Sequence, residues 1–272
     1  MLIMESIFVF MLGAICGSFF NVLILRKNTG ESVVWEGSRC LSCSHKLSFL
    51  DLIPIFGYFI LRGKCRYCGS KFSAQYPLVE VFIALLALAI YLKFRVFSPY
   101  AVSFTPYGLR LMAYGGRLLF YFSAFSALFL VAAYDFRRKI IDSHFLYVFL
   151  AFSAIEAVWR WRLLAGMEYV VQDIVSAFII ALFFYLVWFF SGGRWMGRGD
   201  TDLAFVASLF LGFPLNIGML LLSFWIGGLT GILLLLFRGN KYGLKSEIPF
   251  GPFLAAALFI AWYFGGLFSF LW

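Results

Sequence analysis

A chain of 272 residues with 63% apolar and only 13% charged side chains lies far outside the range of water-soluble domains. Thirty-six Phe and eight Trp suit lipid-facing and interfacial positions, so the composition points to a polytopic membrane protein. The net charge of +9 is accounted for by the membrane topology derived below, and no nucleic-acid partner is implied.

Apolar runs long enough to span a bilayer fall at 3–25, 77–94, 118–134, 145–161, 170–190, 203–213, 217–237 and 252–271. The expectation is an all-α fold with about eight transmembrane helices, or seven if the short sixth run does not cross. The first run has no basic flank ahead of it and no small-residue cleavage site, which sets it apart from a signal peptide.

Between the first two runs lies a polar loop of about 50 residues, too small to build much of a core without a staple. It holds two CxxC pairs, Cys40/Cys43 and Cys65/Cys68, separated by 21 residues. Four soft thiolates at this spacing form the ligand set of a closed, structural zinc site. Such a site requires reduced thiols and hence a reducing compartment. His45 is a reserve ligand, and Cys16, in an apolar run, reads as a small core residue. The apolar stretch 49–61 contains Pro54 and Gly57 and is too short to span, so it reads as a folded or membrane-surface segment. The expected domains are a first helix at 1–26, a four-cysteine zinc loop at 27–76 and a membrane domain at 77–272.

Segments 26–75, 137–142, 191–202 and 238–249 would all face one side, and they hold 16 of the 22 Lys and Arg. The positive-inside rule makes that side cytoplasmic and leaves the N-terminus outside.

Acidic residues in or beside membrane spans are costly and invite a functional reading. Asp135 ends the third run in VAAYDFRRKIID, and Asp200 precedes the sixth in MGRGDTDLAF. Both fall at the cytoplasmic edge. Two carboxylates meeting there could share one proton, as an aspartyl protease requires. Asp200 alone could equally be a helix N-cap, and Asp135 alone a solvated interfacial charge. Asp202 would point about 200° away from Asp200 on a helix, and Asp142 could cap the fourth run. Glu80, one turn into the second run, could pair with a base or hold a polar ligand.

Together these segments resemble the type IV prepilin peptidase/N-methyltransferase family, the GxGD membrane aspartyl proteases. The resemblance rests on GSFFNVLILR, RCLSC, DLIPIFGYFILRGKCRYCGSKFSAQYPLVE, YDFRRKII, GRGDTDL and IPFGPFLA, and runs nearly end to end. It implies that Asp135 and Asp200 are the catalytic pair and that Cys40, Cys43, Cys65 and Cys68 are the family cysteines. It further implies a bacterial cytoplasmic-membrane enzyme that cleaves a prepilin or pseudopilin leader on the cytoplasmic side. The new N-terminus would then be methylated with S-adenosylmethionine, and Glu80 matches an acidic position assigned here to methyl transfer. Two positions depart from the pattern: Asp142-Ser143 replaces Pro-Asp, and Asp202 replaces Lys. A peptidase without methyl transfer is the alternative within the family, since no glycine-rich cofactor turn is evident. A proton-coupled transporter or a zinc-stapled scaffold is the alternative outside it.

Overall fold

The computed structural model describes residues 2–33, 35, 37–97, 107–164, 166–238 and 248–268. Lys241 and Lys245 of the basic segments, and residues 269–271 of the last apolar run, lie outside the described residues. The helices are α1 (Leu2–Arg26), α2 (Phe56–Ile60), α3 (Gln75–Phe97), α4 (Tyr107–Arg138), α5 (Ser143–Leu164), α6 (Met167–Ser191), α7 (Arg198–Leu211), α8 (Leu215–Arg238) and α9 (Gly251–Phe268). A 3₁₀ turn covers Phe49–Leu52, and two isolated β-bridges are the only sheet-like pairing among the described residues.

Among the described residues the fold is all-helical, as expected, and each apolar run overlaps a helix, the sixth outlasting α7 by two residues. Five helices among the described residues, α1, α3, α4, α6 and α8, are long and apolar enough to cross a membrane. The helix α5 carries Glu156, Arg160 and Arg162 and is not among them, and α7 has only 14 residues. Residues 49–61 fold into the 3₁₀ turn and the five-residue α2, a folded segment and not a span.

The chain divides into two compact units, Met1–Phe122 and Ser123–Trp272. In the first, α1 and α3 run antiparallel with their backbones in close approach. A Cβ added to Gly13 would lie 2.8 Å from the Ala84 Cα, and one added to Gly17 would lie 2.7 Å from the Glu80 Cα. This is how small residues four apart let membrane helices associate, through dispersion and not hydrophobic exclusion. One turn further, the Asn21 amide donates to the Tyr76 carbonyl at 3.0 Å. Ile83, Ala84, Ala87 and Ile90 of α3 are buried along this seam.

In the second unit α7 is the core. Leu203, Ala204, Val206, Ala207, Ser208, Phe210 and Leu211 are all buried, and the helix packs against α5, α6, α8 and α9. From Leu203 onward the helix is apolar on nearly every side, a pattern that belongs inside protein. Aromatic pairs tie its neighbours to it. Phe210 meets Phe125 of α4 and Phe149 of α5, each at 5.6 Å between ring centroids, and Phe205 meets Phe178 of α6 at 5.1 Å. Phe125 also packs on Trp262 of α9 at 4.7 Å. Such pairs add about 0.5–1.5 kcal/mol beyond area burial. They fix α7 laterally and leave chemistry to its ends.

Candidate active site

Asp135 lies in the last turn of α4, where the chain switches from buried to exposed. It is 5% exposed, whereas Phe136, the next residue, is 71% exposed. Its Oδ2 accepts the Gly251 N–H, the first amide of α9, at 3.1 Å. A Cβ on Gly251 would lie 2.6 Å from that oxygen, so no other residue type fits there unshifted.

Asp200 sits in the first turn of α7 and is also buried. Its Oδ2 accepts the N–H of Gly197, the residue just before the helix, at 3.0 Å. Gly199 brings the turn close against the chain that follows Asp135, since an added Cβ would lie 3.0 Å from the Ile141 Cβ. Of the two GxGD glycines it is Gly199 that allows this close packing. Asp200 is not the N-cap of its helix, which is Gly197; it is the third helical residue, its carboxylate reaching back to the Gly197 N–H and also feeling the charge of Asp135.

Each carboxylate stands at the N-terminus of a helix, α9 for Asp135 and α7 for Asp200, where free N–H groups favour anions. Desolvation outweighs this for Asp200. Burial first, and then the charge of Asp135, push its carboxyl from the ordinary 3.8 up to about 7. The two aspartates are therefore within electrostatic reach, and the pair can hold one proton near neutral pH.

The competing acids sit elsewhere. Asp142 caps α5, accepting the N–H groups of His144 at 3.0 Å and Phe145 at 3.3 Å. Asp202 is exposed on the far side of α7.

Glu80 belongs to the first unit and is buried. Its Oε2 accepts the Ile55 N–H at 2.6 Å, and Ser18 hydrogen-bonds to it as well. Ile55 has φ 66 and ψ −59, immediately before α2. A positive φ is a true outlier for a β-branched residue and costs about 1–3 kcal/mol, so the Glu80 contact holds a strained entry to α2.

The four cysteines come together as their spacing indicates. Their sulfur atoms lie within 4.8 Å of one another, and Cys40 Sγ is 3.8 Å from Cys68 Sγ. Tetrahedral coordination with zinc–sulfur bonds of about 2.3 Å demands sulfur separations of about 3.8 Å, so the donor set fits zinc. The two knuckles repeat one backbone pattern. Cys40 N–H donates to the His45 carbonyl and Ser44 N–H to the Cys40 carbonyl, while Cys65 N–H donates to Ser70 and Gly69 N–H to Cys65. Ser44 and Gly69, at equivalent positions, both have positive φ. The Ser70 hydroxyl, 3.5 Å from Cys40 Sγ and 3.1 Å from Cys68 Sγ, leads the hydrogen bonds that hold the Cys40 thiol down to about 6, favouring thiolate. His45 stacks on Tyr67 at 3.6 Å between centroids and is not part of the cysteine cluster.

Gly251, the donor to Asp135, lies outside the acidic motifs that mark the site in the sequence. The signal was present, since a Gly-Pro pair at the head of an apolar run marks a helix start with unpaired amides.

Residues 11–94 match the Bacterial Peptidase A24 N-terminal domain, and residues 122–232 match the Type IV leader peptidase family. The chain is 27% identical over 258 residues to the "Prepilin leader peptidase/N-methyltransferase" of Bacillus subtilis, covering 94% of this chain and 93% of that protein. It is 28% identical over 285 residues to the protein of that name in Aeromonas hydrophila, covering 94% and 90%. A shorter match to the Myxococcus xanthus protein of that name is 42% identical over 89 residues, covering 33% of this chain and 27% of the relative. No solved structure matches the chain.

Proposed function

This chain belongs to the type IV leader peptidase family, and from that premise we propose that it cleaves the leader of prepilin-like proteins and methylates the new N-terminus. The relatives' shared name supports both activities. The observation that carries the peptidase half is the pair Asp135 and Asp200, both buried, each at a helix N-terminus, one acting electrostatically on the other.

In this reading Asp200 bears the shared proton and Asp135 is the carboxylate. Asp135 takes a proton from water as its oxygen attacks the scissile carbonyl, and Asp200 hydrogen-bonds the carbonyl oxygen as negative charge builds there. The leaving amine then receives the proton and departs as the new N-terminus. The substrate is a prepilin or pseudopilin, whose apolar stem lies in the lipid bilayer while its leader stays in the cytoplasm. The enzyme sits in the bacterial cytoplasmic membrane with its N-terminus outside, a placement supported by the basic loops.

Zinc would be held by Cys40, Cys43, Cys65 and Cys68 in a closed shell, stapling a loop domain at 27–76 between the first helix and the membrane domain at 77–272. When bound, S-adenosylmethionine supplies an electrophilic methyl group. Glu80, a buried carboxyl, would in its ionised form complement the cationic amine and sulfonium and take up the proton of the new terminal amine. A second reading, peptidase activity alone, is favoured by one observation: the Glu80 carboxylate already anchors Ile55 and Ser18.

Incubating the purified protein with a prepilin-like peptide, with and without S-adenosylmethionine, separates the two by mass. Leader loss followed by a single-methyl gain is the expected result. Leader loss with no gain selects the second reading, and an intact peptide contradicts both.

A further inference from the structure

At the end of α7 opposite Asp200 lies a second buried charge cluster that the proteolytic reading does not use. Asp173 of α6 is 3% exposed. Its Oδ2 accepts Arg160 Nε at 3.0 Å and Trp161 Nε1 at 2.8 Å, and Arg160 Nη2 lies 2.9 Å from the same oxygen. Its Oδ1 accepts the Phe213 N–H at 2.7 Å. The other edge of the Arg160 guanidinium donates to the carbonyls of Leu209 at 3.0 Å and Phe210 at 2.9 Å, in the last turn of α7. Gly212, with φ 72, lets the guanidinium in, since a Cβ there would lie 2.7 Å from it.

The physical need is specific to α7. Fourteen residues span about 21 Å, short of the roughly 30 Å hydrocarbon thickness. With Asp200 at one membrane edge, the last carbonyls of α7 fall at a depth where water cannot satisfy them. A cation there complements the helix dipole. A lone cation at that depth would be costly, and Asp173 neutralises it.

We propose that Arg160 and Asp173 are positioning residues, clamping the far end of α7 and thereby setting the height at which its first turn presents Asp200 to Asp135. The inference rests on the assignment of those two aspartates as the catalytic pair. The bond network reaches α7 and the turn after it from α5 and α6, so it fixes the helix along its axis. The aromatic contacts fix it sideways. A shift of about 1 Å at a reacting group can cost about a hundredfold in rate.

The test measures kcat and KM for peptide cleavage in full-length protein that elutes and melts as wild type does. Arg160→Gln leaves Asp173 buried without its countercharge, whereas Arg160→Met/Asp173→Leu removes both charges and spares the fold that penalty. Both are expected to lower kcat about tenfold to a hundredfold with KM little changed, and Arg160→Lys to recover part of the loss. Wild-type kcat in the double variant, or a loss confined to KM, would overturn the clamp as a positioning device. Asp200→Asn, run alongside, keeps the two claims distinct: an inactive Asp200→Asn with a fully active double variant rejects the clamp alone. Cleavage by Asp200→Asn rejects the catalytic assignment itself.

Discussion

Asp200 titrates in an unusual direction for an aspartate, and its sign has consequences for stability as well as rate. Its carboxyl is raised from 3.8 to about 7 by burial and by Asp135, so the folded protein binds a proton that the unfolded chain releases. Stability from this group is complete below the unfolded value and lost as pH rises through about 7. The melting temperature is expected to fall as pH rises from about 4 to about 7, and Asp200→Asn should flatten that slope; an unchanged slope in the variant contradicts the assigned shift. Gly251 supplies a sharper steric prediction. A methyl group there meets Asp135 Oδ2 at 2.6 Å, so Gly251→Ala should cut kcat by about a hundredfold in protein that still inserts and melts normally. Cleavage within about twofold of wild type would remove Gly251 from the site. Asp142→Asn keeps a good N-cap residue and Asp202→Asn alters an exposed acid, so both should cleave as wild type does.

Among the elements, the cysteine knuckles and α7 were legible to different degrees. The knuckles were readable because CxxC spacing alone dictates where the sulfurs go, and the sulfurs do cluster. The purified protein should contain one zinc per chain. Cys43→Ser, at an exposed ligand position, should lose it and become sensitive to protease within residues 27–74, because a structural zinc site contributes folding energy outright. Full zinc content in that variant would contradict the four-thiolate site. Hydrophobicity located α7 but left its crossing uncertain, and the reason is physical: its 14 residues are enclosed by other helices, so its length need not match the bilayer. Arg160 and Asp173 went unremarked as a pair, because their meeting depends on how α5, α6 and α7 pack and not on sequence spacing. The sequence places Glu80 one turn into the second run, to pair with a base or hold a polar ligand, whereas its contact with Ile55 depends on a positive φ that no propensity rule assigns to isoleucine.

For the whole molecule, composition and family resemblance anticipated an all-helical membrane enzyme, and both the helices and the two family matches agree. Helix packing supplied what sequence patterns could not: the amide donors that hold the two carboxylates, one from α9 and one from the turn before α7. The proposed orientation is testable in intact cells. A membrane-impermeant thiol reagent should leave Cys43 and Cys68 unlabelled until the membrane is opened, and labelling from outside would reverse the topology. The central claim, that Asp135 and Asp200 together cut the substrate, is tested most directly by mass analysis of a prepilin-like peptide exposed to folded Asp135→Asn and Asp200→Asn proteins. The account predicts an uncleaved leader in both. A cleaved leader in either would contradict it.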